Sequence, residues 1–318
     1  MQTKNQEPAP IVVILGTGGT IAGTSDDSSD NVRYRAAQLG VQHLIASVPA
    51  LADQTLEAEQ VAQVDSKDMD FAIWLALARR IEFHLARVEV AGVVVTHGTD
   101  TLEETAYFLQ RVLAPRKPVV LTAAMRPATA LHRDGPQNLL DAVCVARIDG
   151  ARGVVAVLAG RVHSAFDVRK VHSYRVDAFD SGDAGALGCM EEGRFRQWRA
   201  WPVGGAIGLE RLPSDPASWP AVEIITSHAG ARGALVQAAL SQGVTGIVVA
   251  GTGNGHMHHA LEAALRSAQQ QGVRVWRCTR CLDGPVFAEP DDPLPSAGSL
   301  TPVQARIEMV LALLAPGD

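Results

Sequence analysis

Two stretches of this chain end an apolar run in a turn built from glycine and threonine. The first is Ile11-Val-Val-Ile-Leu15, followed by Gly16-Thr-Gly-Gly-Thr-Ile-Ala-Gly23. The second is Val93-Val-Val95, followed by Thr96-His-Gly-Thr-Asp-Thr101. A threonine hydroxyl is a weak nucleophile until a base or a hydrogen-bond chain draws off its proton. Two such turns beyond the carboxyl ends of buried parallel strands would bring two threonines and an aspartate into one crevice. Open α/β sheets bind ligands at that edge. A nucleophile site of this kind requires no Ser, Cys or metal. Phosphate binding is the competing use of the first turn. Its glycines do not make GxGxxG, because Ile21 stands where the third glycine belongs counting from Gly16. Gly18 to Gly23 has P-loop spacing, but Thr24 follows instead of Lys.

The elements around these turns alternate. Helical patterns cover residues 39–48 and 68–80, the latter with Phe71, Leu75 and Leu77 among its apolar positions. Thr101-Leu-Glu-Glu104 is spaced as a capping box opening a helix after the second turn. Residues 118–122 and 153–158 read as strands, with a helix from Asp134 to about Ile148 between them. Strands alternating with helices predict an α/β fold with a mostly parallel sheet covered on both faces. Residues 201–220 break the rhythm with Pro202, Pro213, Pro216 and Pro220, and read as a linker. We therefore expect an N-terminal domain over 1–200 and a smaller C-terminal α/β domain over 221–318. The smaller domain has strands near 222–226, 246–250 and 273–276 and helices near 233–240 and 257–270. Its last helix starts at Thr301-Pro-Val-Gln304, a capping box with Pro at the first helical position.

Bulk properties narrow the function. In 318 residues, 47% are hydrophobic and 19% charged, so a packed core is expected and global disorder is not. The net charge of −6 and the lack of a basic tract speak against nucleic acid or an anionic membrane as partners. The longest apolar runs are too short to span a bilayer. Residues 1–10 are polar and lack an apolar signal core, which points to the cytoplasm, or to the periplasm if a leader is missing from this chain. Four cysteines are too few for a disulfide framework, and Cys278-Thr-Arg-Cys281 follows a strand rather than opening a helix, so structural cysteines are expected. His256 and His259 are three apart, but no carboxylate motif accompanies them, and no metal site is expected.

Thr17-Gly-Gly-Thr-Ile-Ala-Gly23 and Thr96-His-Gly-Thr-Asp-Thr101 resemble the two signature motifs of bacterial-type L-asparaginases. The likeness continues through Glu103-Glu-Thr-Ala-Tyr-Phe-Leu109, Met125-Arg-Pro127 and Asp134-Gly-Pro136. Asp167-Val-Arg-Lys170 and Gly253-Asn-Gly255 extend it over nearly the whole chain. The resemblance implies a two-domain homotetramer, a dimer of dimers, that needs no cofactor. It would hydrolyse the side-chain amide of asparagine, and sometimes of glutamine, to the acid and ammonia.

Carried over residue by residue, the resemblance makes Thr20 the acylated nucleophile with Tyr34 beside it on a mobile lid, and Thr99, Asp100 and Lys170 a second set. Lysine suits that role because a buried ammonium can lose its proton near neutral pH and a guanidinium cannot. An amino-acid amide presents a carboxylate and an ammonium. Ser66 and the backbone around Gly19 and Gly98 could hold the first, with the N–H groups of Gly19, Thr20 and Thr99 as oxyanion donors. Asp100 would hold the ammonium. The resemblance adds Glu289 and Asn254 from a neighbouring subunit. Lys67 departs from the Gln or Glu usual after the anchoring serine. A cation there repels the ammonium unless it swings away or meets the substrate's carboxylate. His97 is expected to orient its turn rather than to move protons. Three other uses of the same residues remain: a broad-specificity glutaminase-asparaginase, an amidotransferase subunit acting with tRNA partners, and a non-catalytic amino-acid sensor. The lack of an extra N-terminal domain and of a basic patch counts against the second. The intact Thr20, Thr99, Asp100 and Lys170 count against the third.

Overall fold

The computed structural model describes residues 10–288 and 290–315. The chain divides into two compact units, one up to Leu209 and the other from Glu210.

The first unit is built on a sheet whose parallel strands are β1 (Ile11–Gly18), β2 (Leu56–Val64), β3 (Val90–Thr96), β4 (Pro118–Thr122) and β5 (Gly153–Leu158). Between them run α1 (Val41–Ala46), α2 (Phe71–Leu85), α3 (Leu102–Leu113) and α4 (Gly135–Ala146). Val12 to Leu15 are wholly buried, as a strand covered on both faces requires. Val12, Ile14, Val94 and Val120 share one core with Leu44 of α1 and Leu139 and Val143 of α4. The alternate residues Val93 and Val95 face the other way. There α2 packs on α3, with Trp74 stacked on Phe108 at 4.9 Å between ring centroids.

After β5 the chain turns back on itself. β6 (Arg161–Ser164) pairs antiparallel with β5, and a two-stranded piece, β7 (Arg169–Lys170) with β8 (Phe179–Asp180), stands apart. β9 (Gly188–Glu191) and β10 (Arg194–Gln197) complete the sheet in the order β10-β9-β6-β5-β4-β3-β1-β2. β1 thus lies between β2 and β3, and the strand order reverses there. The carboxyl ends of β1 and β3, from which both threonine turns spring, form the topological switch point of the sheet.

Several local expectations are corrected. The first helix is shorter than expected. The second begins three residues later, because the Asp70 side chain accepts from Ile73 N–H at 2.8 Å and residues 66–68 form a separate 3-10 turn. β1 continues through Gly16, Thr17 and Gly18 instead of turning after Leu15. Thr101 makes no cap bond to α3; its hydroxyl donates to Ser66 O at 2.7 Å.

The second unit holds the parallel strands β11 (Val222–Thr226), β12 (Gly246–Gly251) and β13 (Arg274–Thr279), in that order. Three helices accompany them: α5 (Ala234–Ser241), α6 (His259–Gln270) and α7 (Pro302–Leu314). α7 carries the expected capping box, Thr301 and Gln304 each bonding the other's backbone N–H. Cys278 lies inside β13, and burial pushes its thiol up to about 12. All four cysteines are free thiols. No helix among the described residues is long and apolar enough to cross a membrane.

Candidate active site

The site begins with backbone, not side chains. Thr17 Oγ1 donates to Thr96 O at 2.9 Å and ties the ends of β1 and β3 together. Gly18 and Gly19 then take φ of 105° and 80°, which a side chain would resist. A Cβ on Gly19 would overlap Gly98 N and Cα, and one on Gly98 would overlap Ser66 Oγ. Three turns, those of Thr20, Thr99 and Ser66, therefore meet with no side chain between the first two.

Thr20 leads a 3-10 turn, and its hydroxyl lies 2.7 Å from Tyr34 Oη. Tyr34 is held by its neighbours: Thr24 and Arg35 pair through two backbone hydrogen bonds of 2.9 Å. Opposite, Lys170 Nζ donates to Thr99 Oγ1 at 2.9 Å and to Asp100 Oδ1 at 2.6 Å. Thr20 and Thr99 are buried, while Asp100 is open to solvent. Ser66, 2% exposed, accepts from Asp100 N–H at 3.1 Å, which leaves its own O–H free to be offered to a ligand. Gly19 N–H already donates to Val64 O at 2.9 Å, so of the three oxyanion donors considered only Thr20 and Thr99 stay candidates.

One neighbour escaped sequence reasoning. Glu103 Oε2 accepts from the backbone N–H of Lys170 at 2.5 Å, and burial pushes its carboxyl up to about 7. Its position in the supposed capping box concealed this long-range bond.

His97 is wholly buried, and its hydrogen bonds assign its tautomer. Gly98 O can only accept, so Nδ1 carries the proton and donates to it at 2.7 Å. Nε2 of the neutral ring then accepts from the Thr105 hydroxyl at 3.0 Å, and that hydroxyl accepts from Trp74 Nε1–H at 2.8 Å. Burial pushes this imidazole down to about 4, and a neutral ring with both nitrogens engaged orients the turn rather than carrying protons.

Lys67 is turned onto Asp65 at 2.7 Å and Asp68 at 3.3 Å, with 61% of its side chain exposed. Its charge is thus answered by two carboxylates of its own turn. In the second unit, Asn254 spends its amide on Phe287: Oδ1 accepts from Phe287 N–H at 2.7 Å and Nδ2 donates to Phe287 O at 3.0 Å. Glu289 lies outside the described residues. His258 caps α6 and stacks on His259, and no group of three or more metal-ligating side chains occurs among the described residues. A cavity of about 360 Å³ lies near the Thr20 turn, lined by Ile21, Leu44 and Leu139 among others. Neither Thr20 nor Thr99 lines it, so it is separate from the two threonine turns.

Comparison with known proteins agrees with this geometry. Residues 11–201 match the family model "Asparaginase, N-terminal", and residues 221–318 match "Glutaminase/Asparaginase C-terminal domain". L-asparaginase 2 of Bacillus subtilis is 39% identical over 97% of this chain and 84% of its own length. A glutaminase-asparaginase of Pseudomonas fluorescens is 36% identical over 96% of this chain and 87% of its own. The crystal structure of a probable cytoplasmic L-asparaginase from Campylobacter jejuni superposes with a TM-score of 0.91 at 38% identity, covering 97% of this chain and 96% of that one. With both family models matched in chain order and relatives aligned over nearly their full length, the chain belongs to the L-asparaginase family of amidohydrolases.

Proposed function

We propose that this enzyme hydrolyses the side-chain amide of L-asparagine to L-aspartate and ammonia through an ester on Thr20. The observation that carries this is the meeting of two activated hydroxyls: Thr20 against Tyr34, and Thr99 against Lys170 and Asp100. Thr20 Oγ1 attacks the amide carbon as its proton passes to Tyr34 Oη, which hands its own phenolic proton on to the departing nitrogen. The N–H groups of Thr20 and Thr99 face the oxyanion that forms. Ammonia leaves with one added proton. Water then attacks the ester, one of its protons passing through Thr99 Oγ1 to Lys170 in its neutral amine form and returning to Thr20 Oγ1 as aspartate departs. Ser66, with the close-packed Gly19 and Gly98, seats the substrate carboxylate, and Asp100 meets its ammonium. Glu289 of a second copy completes that ammonium site, so the working unit is a dimer at least and a dimer of dimers in full. Asn254 serves the same site by holding the chain next to Glu289.

The glutaminase-asparaginases among the relatives favour a second reading, in which glutamine is also turned over. One methylene is worth about 1–3 kcal/mol in an apolar pocket, so the two activities differ only in degree. The cytoplasm is proposed as the compartment, as described for the Campylobacter jejuni relative, while a Haemophilus influenzae relative is described as periplasmic. The deciding experiment is ammonia release by purified enzyme with asparagine and with glutamine. Turnover of asparagine at higher kcat/KM supports the proposal, parity supports the second reading, and no release from either overturns both.

A further inference from the structure

Asn254 and Arg277 sit on different elements of the second unit, yet both reach the same stretch of chain. Asn254 lies in the turn after β12, where Thr252 and His256 pair through backbone hydrogen bonds of 2.6 and 2.8 Å. Arg277 stands in β13 and is 6% exposed. Its guanidinium donates from Nε to Leu294 O at 3.2 Å and from Nη1 to Asn254 O at 3.1 Å. Nη2 donates to Phe287 O at 3.4 Å and also meets the Asp292 carboxylate. The Arg277 main chain continues the pattern: its N–H donates to Pro295 O and its carbonyl accepts from Ala297 N–H, each at 2.8 Å.

One buried side chain thus binds the turn of Asn254 to a returning segment at three points. The points on that segment, Phe287, Asp292 and Leu294, enclose the stretch that contains Glu289. A buried ion pair is a poor way to gain stability, since well-packed apolar residues often do as well or better. What a guanidinium offers instead is geometry: five donors in a rigid fork that can hold several acceptors in fixed relation. Asn254 grips Phe287 N–H and O from the other side. Phe287, Asp292 and Leu294 are thus held in fixed relation before any substrate binds, and holding a group in place beforehand lowers the ordering cost of binding.

We propose that Arg277 is a positioning residue of the amidohydrolase: by holding Phe287, Asp292 and Leu294, which flank Glu289 in sequence, it serves the delivery of Glu289 to the substrate ammonium. This rests on Glu289 binding that ammonium, as set out above. Arg277 touches no substrate, and its effect belongs to capture rather than to the bond-breaking step.

The test is a double-mutant cycle on the full-length, assembled enzyme, with kcat and KM for asparagine read from ammonia release. Glu289→Ala should raise KM by about tenfold or more with a smaller change in kcat. Arg277→Met should raise KM in the same way, with kcat within about threefold of wild type. The Glu289→Ala/Arg277→Met protein should show no higher KM than Glu289→Ala alone. A general loosening of the unit would instead multiply the two effects or lower kcat. Arg277→Met leaving KM within twofold, or raising it equally with and without Glu289, overturns the proposal. If Glu289→Ala itself leaves KM unchanged, the ammonium reading fails, and the proposal fails with it. Should Arg277→Met not assemble, Asp292→Asn removes the charged partner while keeping its shape. It should raise KM more mildly, again only when Glu289 is present, and an equal rise without Glu289 counts against the clamp.

Discussion

Thr20 and Thr99 are both buried hydroxyls, but their partners differ, and so do the consequences of removing them. Thr20 has a phenol at 2.7 Å, and Thr99 accepts from an ammonium at 2.9 Å. Thr20→Ala and Thr99→Val should each lower kcat by about a hundredfold or more, the range expected when a proton-transfer chain is cut, with circular dichroism unchanged. Near-wild-type ammonia release from either variant would remove that residue from the mechanism. Lys170→Met should abolish turnover, and Lys170→Arg should not restore it, because guanidinium keeps its proton. Full activity in the arginine variant would show that only positive charge is needed. Lys67 bears on nothing so central. With its ammonium held by Asp65 and Asp68 on the surface, Lys67→Gln should change KM for asparagine by less than about threefold, since exposed pairs contribute little. A larger drop in KM would mean that the lysine visits the substrate after all.

At the scale of elements, the site depends on how closely two strand ends can approach. Gly19 at φ 80° packs on Gly98, and Gly98 packs on Ser66. Gly19→Ala adds a carbon where backbone already stands, in an extended positive-φ conformation that is essentially glycine-only and costs about 1–3 kcal/mol for a side chain. It should remove activity far more than stability, because the turns are displaced while the sheet core is not touched. A variant with normal kcat/KM would show that the turns have room to spare. Thr101 illustrates the same priority. Its hydroxyl is used on Ser66 O rather than on the helix it precedes, so α3 forgoes a cap bond to hold the Ser66 turn.

For the whole molecule, acid sensitivity and assembly follow from groups spread over the fold. Burial pushes His97 and His163 each down to about 4, whereas an unfolded imidazole titrates near 6.5. Between those values the unfolded chain binds more protons, so stability rises with pH through that window. The contribution is complete above pH 6.5 and is lost as pH falls toward 4, amounting to about 3 kcal/mol per ring. The melting temperature should therefore drop from pH 7 to pH 4.5, and His163→Gln, distant in sequence from the threonine turns, should flatten that drop. An unchanged slope in the variant would assign the acid sensitivity elsewhere. Assembly is tested by mixing. If Glu289 serves the neighbour's site, Thr20→Ala and Glu289→Ala proteins should recover part of the activity on subunit exchange, since a two-fold interface then contains one intact site. No recovery despite proven exchange, or a fully active monomer, would sink the shared site.

Much of this was written locally. The runs at β1, β3, β4, β5 and β12 are almost wholly apolar because a central parallel strand is buried on both faces, and a few residues suffice to encode that. The capping box of α7 is equally local. Other parts were not legible. β2 alternates Glu57 and Glu59 with other residues because it is the sheet's edge and pairs those acids with Arg87, just past α2, and with Arg80 of α2. β6, β9 and β10 are four residues each, too short for a period to show. The proposed catalytic constellation divides the same way. The types of its residues, and the two strand ends that carry the threonines, stand in the sequence. That Lys170 meets Thr99 across 71 residues, that Lys67 turns outward, and that Arg277 grips the chain around Glu289 were decided by tertiary structure. Backbone period and caps depend on neighbours a few positions away, whereas such meetings depend on strand order and register, which no short stretch of sequence contains.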